Sequence, residues 1–186
     1  MMGKHILILN GGPRLAGNTA ALVSAFAEGA EAAGHCVTRF DLGAMDIHGC
    51  RGCLGGGKDP AHPCVQRDGM DLIYPDYMDA DVVVLASPMY YWGFSGQLKC
   101  AFDRLFAVEE LKSAPVKPER AAVLLMAAGD GTADNFAPVK DYYEALLRRL
   151  GWRDAGIVYA GDNLAVGDIQ KHPEQLEKAR QLGASL

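Results

Sequence analysis

Four short runs of apolar residues stand out in the hydrophobic pattern of the chain, at positions 6–9, 82–86, 121–126 and 156–159. Apolar and polar residues do not alternate within them, which is typical of strands that are buried on both faces of a sheet. A fifth run, at positions 36–41, is more mixed in character. We therefore expect four strands that are covered on both faces, and a fifth strand that suits an edge of the sheet.

Helical spacing of apolar residues fills most of the intervals between these runs. It predicts helices over residues 19–33, 97–106 and 142–150. A helix over 68–79 should start late or kink at Pro75, which has no N–H to donate. Near the C-terminus, Pro173 should open a helix that Gly183 follows. Strands that alternate with helices indicate a parallel sheet with helices on both faces.

These elements predict a single α/β domain over residues 1–186, a doubly wound five-stranded parallel sheet of order 2-1-3-4-5. A chain of 186 residues is long enough to bury a large core without a metal or a disulfide. In such sheets, ligands bind beyond the carboxyl ends of the strands, where the strand order reverses. The loops after residues 9, 86 and 126 are therefore the ones in which to look for a site.

Charge and hydropathy narrow the choice of partners. The formal net charge is -5, from 18 basic and 23 acidic residues, and the basic residues form no run. A nucleic-acid binder would carry a basic patch, so that class is disfavoured. The longest early apolar run is too short for a signal peptide or a membrane span. We expect a cytoplasmic protein that binds small molecules, with neither a membrane nor nucleic acid as a partner.

The loop after the first strand, NGGPRLAGNT at positions 10–19, predicts an anion site. Its glycines let backbone amides approach a phosphate, and the following helix adds free N–H groups and the positive end of its dipole. Arg14 supplies a forked cation, while Asn18 and Thr19 can donate hydrogen bonds from their side chains.

Three other interpretations of this loop fit less well. It lacks the dinucleotide fingerprint G-x-G-x-x-G, because Pro13 and Arg14 follow Gly12. It differs from the P-loop G-x4-G-K-[ST] by one residue, since Asn18 replaces the lysine that binds a nucleoside triphosphate. A plain strand-to-helix turn explains the glycines, but it does not explain why Arg14, Asn18 and Thr19 cluster.

The loop after the third strand, SPMYYWGFSG at positions 87–96, predicts a slot for a planar ligand. Three adjacent aromatic residues follow Pro88 and Met89, and such side chains can pack against a fused ring. The alternative is an aromatic plug that seals the strand end or forms a dimer contact.

Together, the motifs GGPRxxGNT at 11–19 and SPMYYW at 87–92 resemble the NAD(P)H-dependent FMN reductase family. The resemblance spans residues 4–160 approximately, and it implies a flavodoxin-like fold. It also implies that the first loop holds the phosphate of FMN, that the second lines the isoalloxazine, and that the loop after residue 126 contacts its far edge. The implied cofactor contacts are Gly12, Pro13, Arg14, Gly17, Asn18, Thr19, Pro88, Met89, Tyr90, Tyr91, Trp92, Gly129 and Asp130.

The resemblance further implies an oxidoreductase that passes hydride from NAD(P)H to the flavin and then to a small acceptor. Candidate acceptors are free flavin, a quinone, a nitro- or azo-aromatic compound, and iron(III). Because the flavin carries the hydride chemistry, no catalytic acid or base is expected from the protein. The family also implies a homodimer or homotetramer with the flavin near a subunit boundary, which would explain exposure of Trp92 and Phe94.

Three of the five cysteines, Cys50, Cys53 and Cys64, fall within one glycine-rich segment. The segment resembles that of the iron-sulfur flavoproteins, which carry four closely spaced cysteines, but here Gly56 stands in place of the third. A [4Fe–4S] cluster or structural zinc needs four ligands, and only His48 or His62 could complete the set. A redox dithiol of the C-x-x-C kind usually opens a helix, and none is predicted here. We expect free thiols and no bound metal.

Two functions of other classes remain open on the sequence. One is a flavodoxin-like electron carrier that docks on protein partners, although carriers of this kind are typically much more acidic. The other is an interaction domain that has lost its flavin, against which the intact Arg14, Asn18 and Thr19 argue.

Overall fold

The computed structural model describes residues 3–111, 117 and 119–186. Its centre is a five-stranded parallel sheet in the order β2-β1-β3-β4-β5, which confirms the predicted flavodoxin-like topology. The order reverses between β1 and β3, so the loops that follow these two strands lead to helices on opposite faces of the sheet. The strands are β1 (His5–Asn10), β2 (Cys36–Asp41), β3 (Val82–Pro88), β4 (Ala121–Ala127) and β5 (Arg153–Ala160).

Helices cover both faces of the sheet. Short 3-10 turns, Leu42–Ala44 and Asp168–Lys171, follow β2 and precede the last helix. No helix in the described part of the chain is long and apolar enough to cross a membrane. The helices are α1 (Asn18–Ala32), α2 (Met70–Asp79), α3 (Gly96–Arg104), α4 (Phe106–Glu109), α5 (Ala133–Leu150) and α6 (Pro173–Ala184).

Successive residues of each central strand point to opposite faces, which produces two separate cores. On one face, Ile6 and Ile8 of β1 pack with α1 and α6. On the other, Leu7 and Leu9 pack with α2, α3 and α5. Because both faces are covered, the central strands are apolar throughout, as their sequences predict.

The bounds of α5 and α6 show the most informative differences from the predicted ones. α5 begins at Ala133, nine residues before the predicted start, and it accommodates Pro138 in its second turn. This early start was missed because the segment is polar and contains a proline. Gly183 was expected to follow the last helix but lies inside α6, which ends at Ala184.

The reason for Gly183 is the close contact between α6 and α1. A Cβ on Gly183 would lie 2.1 Å from the carbonyl oxygen of Phe26, and a Cβ on Gly29 would lie 2.0 Å from that of Arg180. Neither distance is compatible with a side chain. The two glycines therefore let the backbones of α1 and α6 come into direct contact.

We predict that Gly183→Ala lowers the free energy of unfolding by about 2 kcal/mol, because the added methyl group must push the two helices apart. Denaturant unfolding of the variant and of the parent protein measures the difference. Gly96→Ala is the matched control, since Gly96 also lies in a helix but a Cβ there would meet no atom within 4 Å. Equal stability of the Gly183 variant and the parent would contradict the proposed close packing.

Candidate cofactor-binding site

A cleft of about 190 Å³ opens at the carboxyl ends of β1, β3 and β4. It lies at the predicted position, where the strand order reverses. All the predicted contact residues line this cleft except Tyr91, Trp92 and Asp130, which line an adjoining depression together with Met89 and Gly129. The structure thus brings the three predicted loops together. Residues of the main cleft that were not predicted are Ala127, Ala128, Asn163 and Leu164.

The first wall of the cleft is the N-terminus of α1. Gly17 is the N-cap residue, and no side chain caps the helix. The first N–H groups of a helix have no partner within the helix, so those of Asn18 and Thr19 remain for an anion. Arg14 lies exposed beside them, and no acidic residue occupies the first turn. The local field is therefore positive.

A buried asparagine sets the path of the loop after β1. The side chain of Asn10 accepts a hydrogen bond from the N–H of Gly12 at 3.0 Å and donates to Asp41 at 2.7 Å. A Cβ on Gly12 would lie 3.1 Å from the Asn10 oxygen and 3.3 Å from Thr19. Glycine at this position therefore leaves the room that the turn needs.

Two buried serines join the loop after β1 to the loop after β3. The hydroxyl of Ser95 donates to the carbonyl oxygen of Gly11 at 2.7 Å. The backbone N–H of Ser95 in turn donates to the hydroxyl of Ser87 at 2.8 Å, and that hydroxyl donates to the carbonyl of Pro88. Because both serines are fully buried, this chain of hydrogen bonds holds the two walls in a fixed relation.

The three adjacent aromatic residues form a tight hairpin turn. Tyr90 and Gly93 pair through two backbone hydrogen bonds of 3.1 and 3.0 Å. Tyr91 and Trp92, between them, have φ angles of 47° and 60°, in the left-handed region that bulky residues avoid. Tyr91 is 97% exposed, and Trp92 is held by a 2.7 Å hydrogen bond to Asn135 of α5. Strain of this kind is typical of functional turns.

The expected exposure of Phe94 was wrong. This side chain is partly buried, and its ring packs edge-on against Tyr142 with the centroids 5.2 Å apart. It therefore anchors the aromatic hairpin to α5, while Tyr91 and Trp92 remain at the surface.

The loop after β4 forms the opposite wall. The N–H of Met89 donates to the carbonyl oxygen of Ala127 at 2.8 Å, which ties this loop to the one after β3. Hydrogen bonds from the backbone N–H and the hydroxyl of Thr132 lower the pKa of Asp130. The same two hydrogen bonds fix the Asp130 carboxylate in the turn that precedes α5.

Asn18 plays a different part from the one predicted for its side chain. Its amide nitrogen donates to the carbonyl oxygens of Asn163 and Ala165, at 3.0 and 2.8 Å. Its oxygen accepts hydrogen bonds from the N–H groups of Gly167 and Ile169, at 3.1 and 3.4 Å. The amide is fully used, so Asn18 positions the loop after β5 and offers an anion only its backbone N–H.

The loop after β5 forms a further wall of the cleft, which the sequence analysis did not predict. Asn163 is 5% exposed, and its amide nitrogen donates to Gly161 and to Gln175. These two bonds fix the orientation of the amide, and its oxygen is left without a donor among the described residues. A buried acceptor beside a cleft suits a ligand that carries hydroxyl groups. The sequence signal that could have identified this wall is a polar residue, Asn163, shortly after the last strand.

The cysteine segment lies outside this cleft. Cys50, Cys53 and Cys64 line a separate small pocket, and the expected absence of a helix at Cys50 and Cys53 is confirmed. Within the described ranges, no three or more histidine, cysteine, aspartate or glutamate side chains are grouped so that they could hold a metal ion.

Comparison with known proteins decides the family. The model of the NADPH-dependent FMN reductase family matches residues 5–158. The chain belongs to this family. The chain is a flavoprotein oxidoreductase, and FMN is its cofactor.

Individual relatives agree with this assignment. An iron-sulfur flavoprotein of Archaeoglobus fulgidus is 30% identical over 95% of this chain and 76% of its own length. An NAD(P)H:quinone oxidoreductase from Methanothermobacter marburgensis has a similar structure, with a TM-score of 0.76, 21% identity and 98% coverage of both chains. An FMN-dependent NADH-azoreductase from Bacillus anthracis, solved with FMN, has a TM-score of 0.73, 15% identity and coverage of 97% and 98%. These two structures have the same fold as this chain.

We predict that Asn18→Asp destabilises the protein by about 2 kcal/mol, because a carboxylate oxygen would face the carbonyls of Asn163 and Ala165 in place of two donors. Thermal and denaturant unfolding measure the loss. Asn135→Asp is the matched control, since Asn135 is only partly buried and its side-chain oxygen accepts a hydrogen bond from Trp92, which a carboxylate can also accept. Unchanged stability of the Asn18 variant would show that the loop after β5 does not depend on this amide.

Proposed function

We propose that the cleft holds FMN with its phosphate at residues 12–19 and its isoalloxazine ring between residues 88–92 and 127–130. The observation that supports this most strongly is the uncapped N-terminus of α1, which opens with Arg14 into the same cleft as the aromatic hairpin. One end of the cleft suits a dianion, and the other suits a planar ring.

In this proposal each wall has its own task. Backbone N–H groups of α1 and the guanidinium of Arg14 bind the phosphate, and the hydroxyl of Thr19 donates to it. Asn163 accepts a hydrogen bond from the ribityl chain. Gly129 and Asp130 border the far edge of the ring. FMN, when bound, supplies the two-electron hydride chemistry. The side chains around it orient the ring and leave one face open to substrates.

The aromatic hairpin borders the face of the ring that is left open. Tyr91 is almost fully exposed and Trp92 is 54% exposed, so both can receive a flat substrate from solvent. We infer that the nicotinamide of NAD(P)H and then the acceptor occupy this place in turn. The acceptor is a small molecule, and a quinone or an azo-aromatic compound suits an aromatic rim. The fold shared with quinone- and azo-reducing enzymes is consistent with this choice.

The same rim supports a homodimer or homotetramer. Exposed apolar side chains border the cleft on more than one loop, including Leu15 at 58% and Leu164 at 76% exposure. A second copy that covered part of this rim would bury apolar surface and would narrow the entrance.

We predict that Arg14→Gln weakens FMN binding to the apoprotein by about tenfold or more, since one charge-assisted hydrogen bond contributes about 1.5–3 kcal/mol. Riboflavin lacks the phosphate, so its affinity should not change. Quenching of flavin fluorescence measures both dissociation constants. Arg148→Gln is the matched control, because Arg148 is exposed on α5 outside the cleft. Equal losses for FMN and riboflavin would contradict the placement of the phosphate.

We also predict that NADPH or NADH, added without oxygen, bleaches the flavin absorbance of the purified holoprotein, and that a quinone restores it. Stopped-flow absorbance follows both half-reactions. If the flavin stays oxidised with both nucleotides but accepts electrons from a protein reductase, the chain is an electron carrier and the proposed function is wrong.

A further inference from the structure

A second pocket, outside the cofactor cleft, is built around a buried guanidinium. Arg104 of α3 is 1% exposed and pairs with Asp68 through two hydrogen bonds of 2.7 and 3.2 Å. It also donates to the backbone carbonyls of His48 at 2.9 Å and Gln66 at 3.4 Å. Its Nε has no hydrogen-bond partner in the described part of the chain. A buried cation with a free donor is suited to hold an anion.

The ion pair that fixes Arg104 is stable over a wide pH range. Burial opposes ionisation of Asp68, but hydrogen bonds from Arg104 and from the backbone N–H groups of His48 and Met70 lower the pKa of Asp68 to about 2. The ion pair that holds the guanidinium therefore persists at neutral pH.

Cys64 lines the same pocket as this cation. Its side chain is 9% exposed. Burial by itself would raise the pKa of the Cys64 thiol, but a hydrogen bond from the backbone of Gln66 and the positive charge of Arg104 lower it below the usual value. The thiolate is the nucleophilic form of cysteine, so this lowered pKa favours reaction at Cys64.

Two further thiols face the same pocket. Its volume is about 90 Å³, and Cys50, Cys53, Cys64 and Arg104 all line it. A water molecule occupies about 30 Å³ in the liquid, so the pocket has room for a reagent of two or three heavy atoms.

Cys53 lies next to the segment that carries Cys64. A Cβ on Gly55 would lie 3.5 Å from the sulfur of Cys53 and 3.0 Å from a methyl group of Val65, the residue that follows Cys64. The sulfur of Cys50 accepts a hydrogen bond from the N–H of Gly52 within its own turn. Because Cys53 adjoins this segment and lines the same pocket as Cys64, it is the candidate partner of Cys64.

We propose that Cys64 is a peroxide-reactive cysteine and that Cys53 resolves its oxidised form as a disulfide. The Cys64 thiolate attacks one oxygen of hydrogen peroxide, the O–O bond breaks, and hydroxide leaves, so that the sulfur becomes a sulfenic acid. The Cys53 thiolate then attacks that sulfur, the S–O bond breaks, and the proton lost by Cys53 leaves with the oxygen as water. Peroxide is the oxidant, and two thiols are oxidised to one disulfide. The flavin takes no part in these steps, so the proposal stands apart from the proposed function.

The test treats the reduced holoprotein with hydrogen peroxide and maps its thiols by peptide mass spectrometry. We expect a Cys53–Cys64 disulfide and the loss of two of the five free thiols. In Cys53→Ser, dimedone should trap the sulfenic acid at Cys64. In Cys64→Ser, the rate of thiol loss should fall by about tenfold, because the thiol whose pKa the charge of Arg104 lowers is then absent. Cys36→Ser and Cys100→Ser are matched controls that should behave as the parent.

A second readout needs no variant. The rate at which iodoacetamide alkylates Cys64, followed against pH, should reach its half-maximum at a lower pH than that of the exposed Cys36. A half-maximum at the same or a higher pH would overturn the proposal, as would a disulfide between Cys50 and Cys53 or no dimedone adduct on Cys64. The titratable or charged groups around Cys64 and its pocket, among the described residues, are Cys50, Cys53, Arg67, Asp68, Tyr74, Asp103, Arg104 and Glu110.

Discussion

A single buried amide, that of Asn18, joins the first helix of the chain to the loop after its last strand. Four hydrogen bonds connect it to residues 163–169, about 145 positions away in sequence. Each donor and acceptor of the amide is satisfied, so any other side chain would leave buried backbone groups without partners. The wall of the cleft that carries Asn163 and Leu164 depends on this contact. So does the position of the helix N-terminus that would bind phosphate.

The rest of the site is equally dependent on the scaffold behind it. Gly29 and Gly183 let α1 rest against α6, and Ser87 and Ser95 join the first two loops. These contacts stabilise an arrangement that includes two aromatic residues in left-handed conformations. Asparagine and glycine would form that turn with less strain, so the aromatic rings are retained at a cost to stability. A site for a planar cofactor and planar substrates accounts for that cost.

The sheet could be predicted almost completely, because strands buried on both faces are continuously apolar and their order follows from the alternation with helices. Three walls of the cleft, the loops after β1, β3 and β4, could be predicted from that order. The fourth could not, since nothing local in residues 161–168 shows that Asn18 lies beside them. The role of Asn18 was misjudged for the same reason: an amide next to a phosphate loop suggests a ligand contact until its long-range partners are seen. The burial of Cys64 against Arg104 also depends on pairing between distant segments.

The central claim, that the N-terminus of α1 binds the phosphate of FMN, is tested most directly by NMR of the 15N-labelled apoprotein. Titration with FMN should shift the backbone amide resonances of residues 14–20, whereas riboflavin should leave them unchanged. Both ligands should shift the resonances of residues 89–92. If riboflavin and FMN perturb residues 14–20 equally, or if the phosphate-dependent shifts appear at another helix, the account is contradicted.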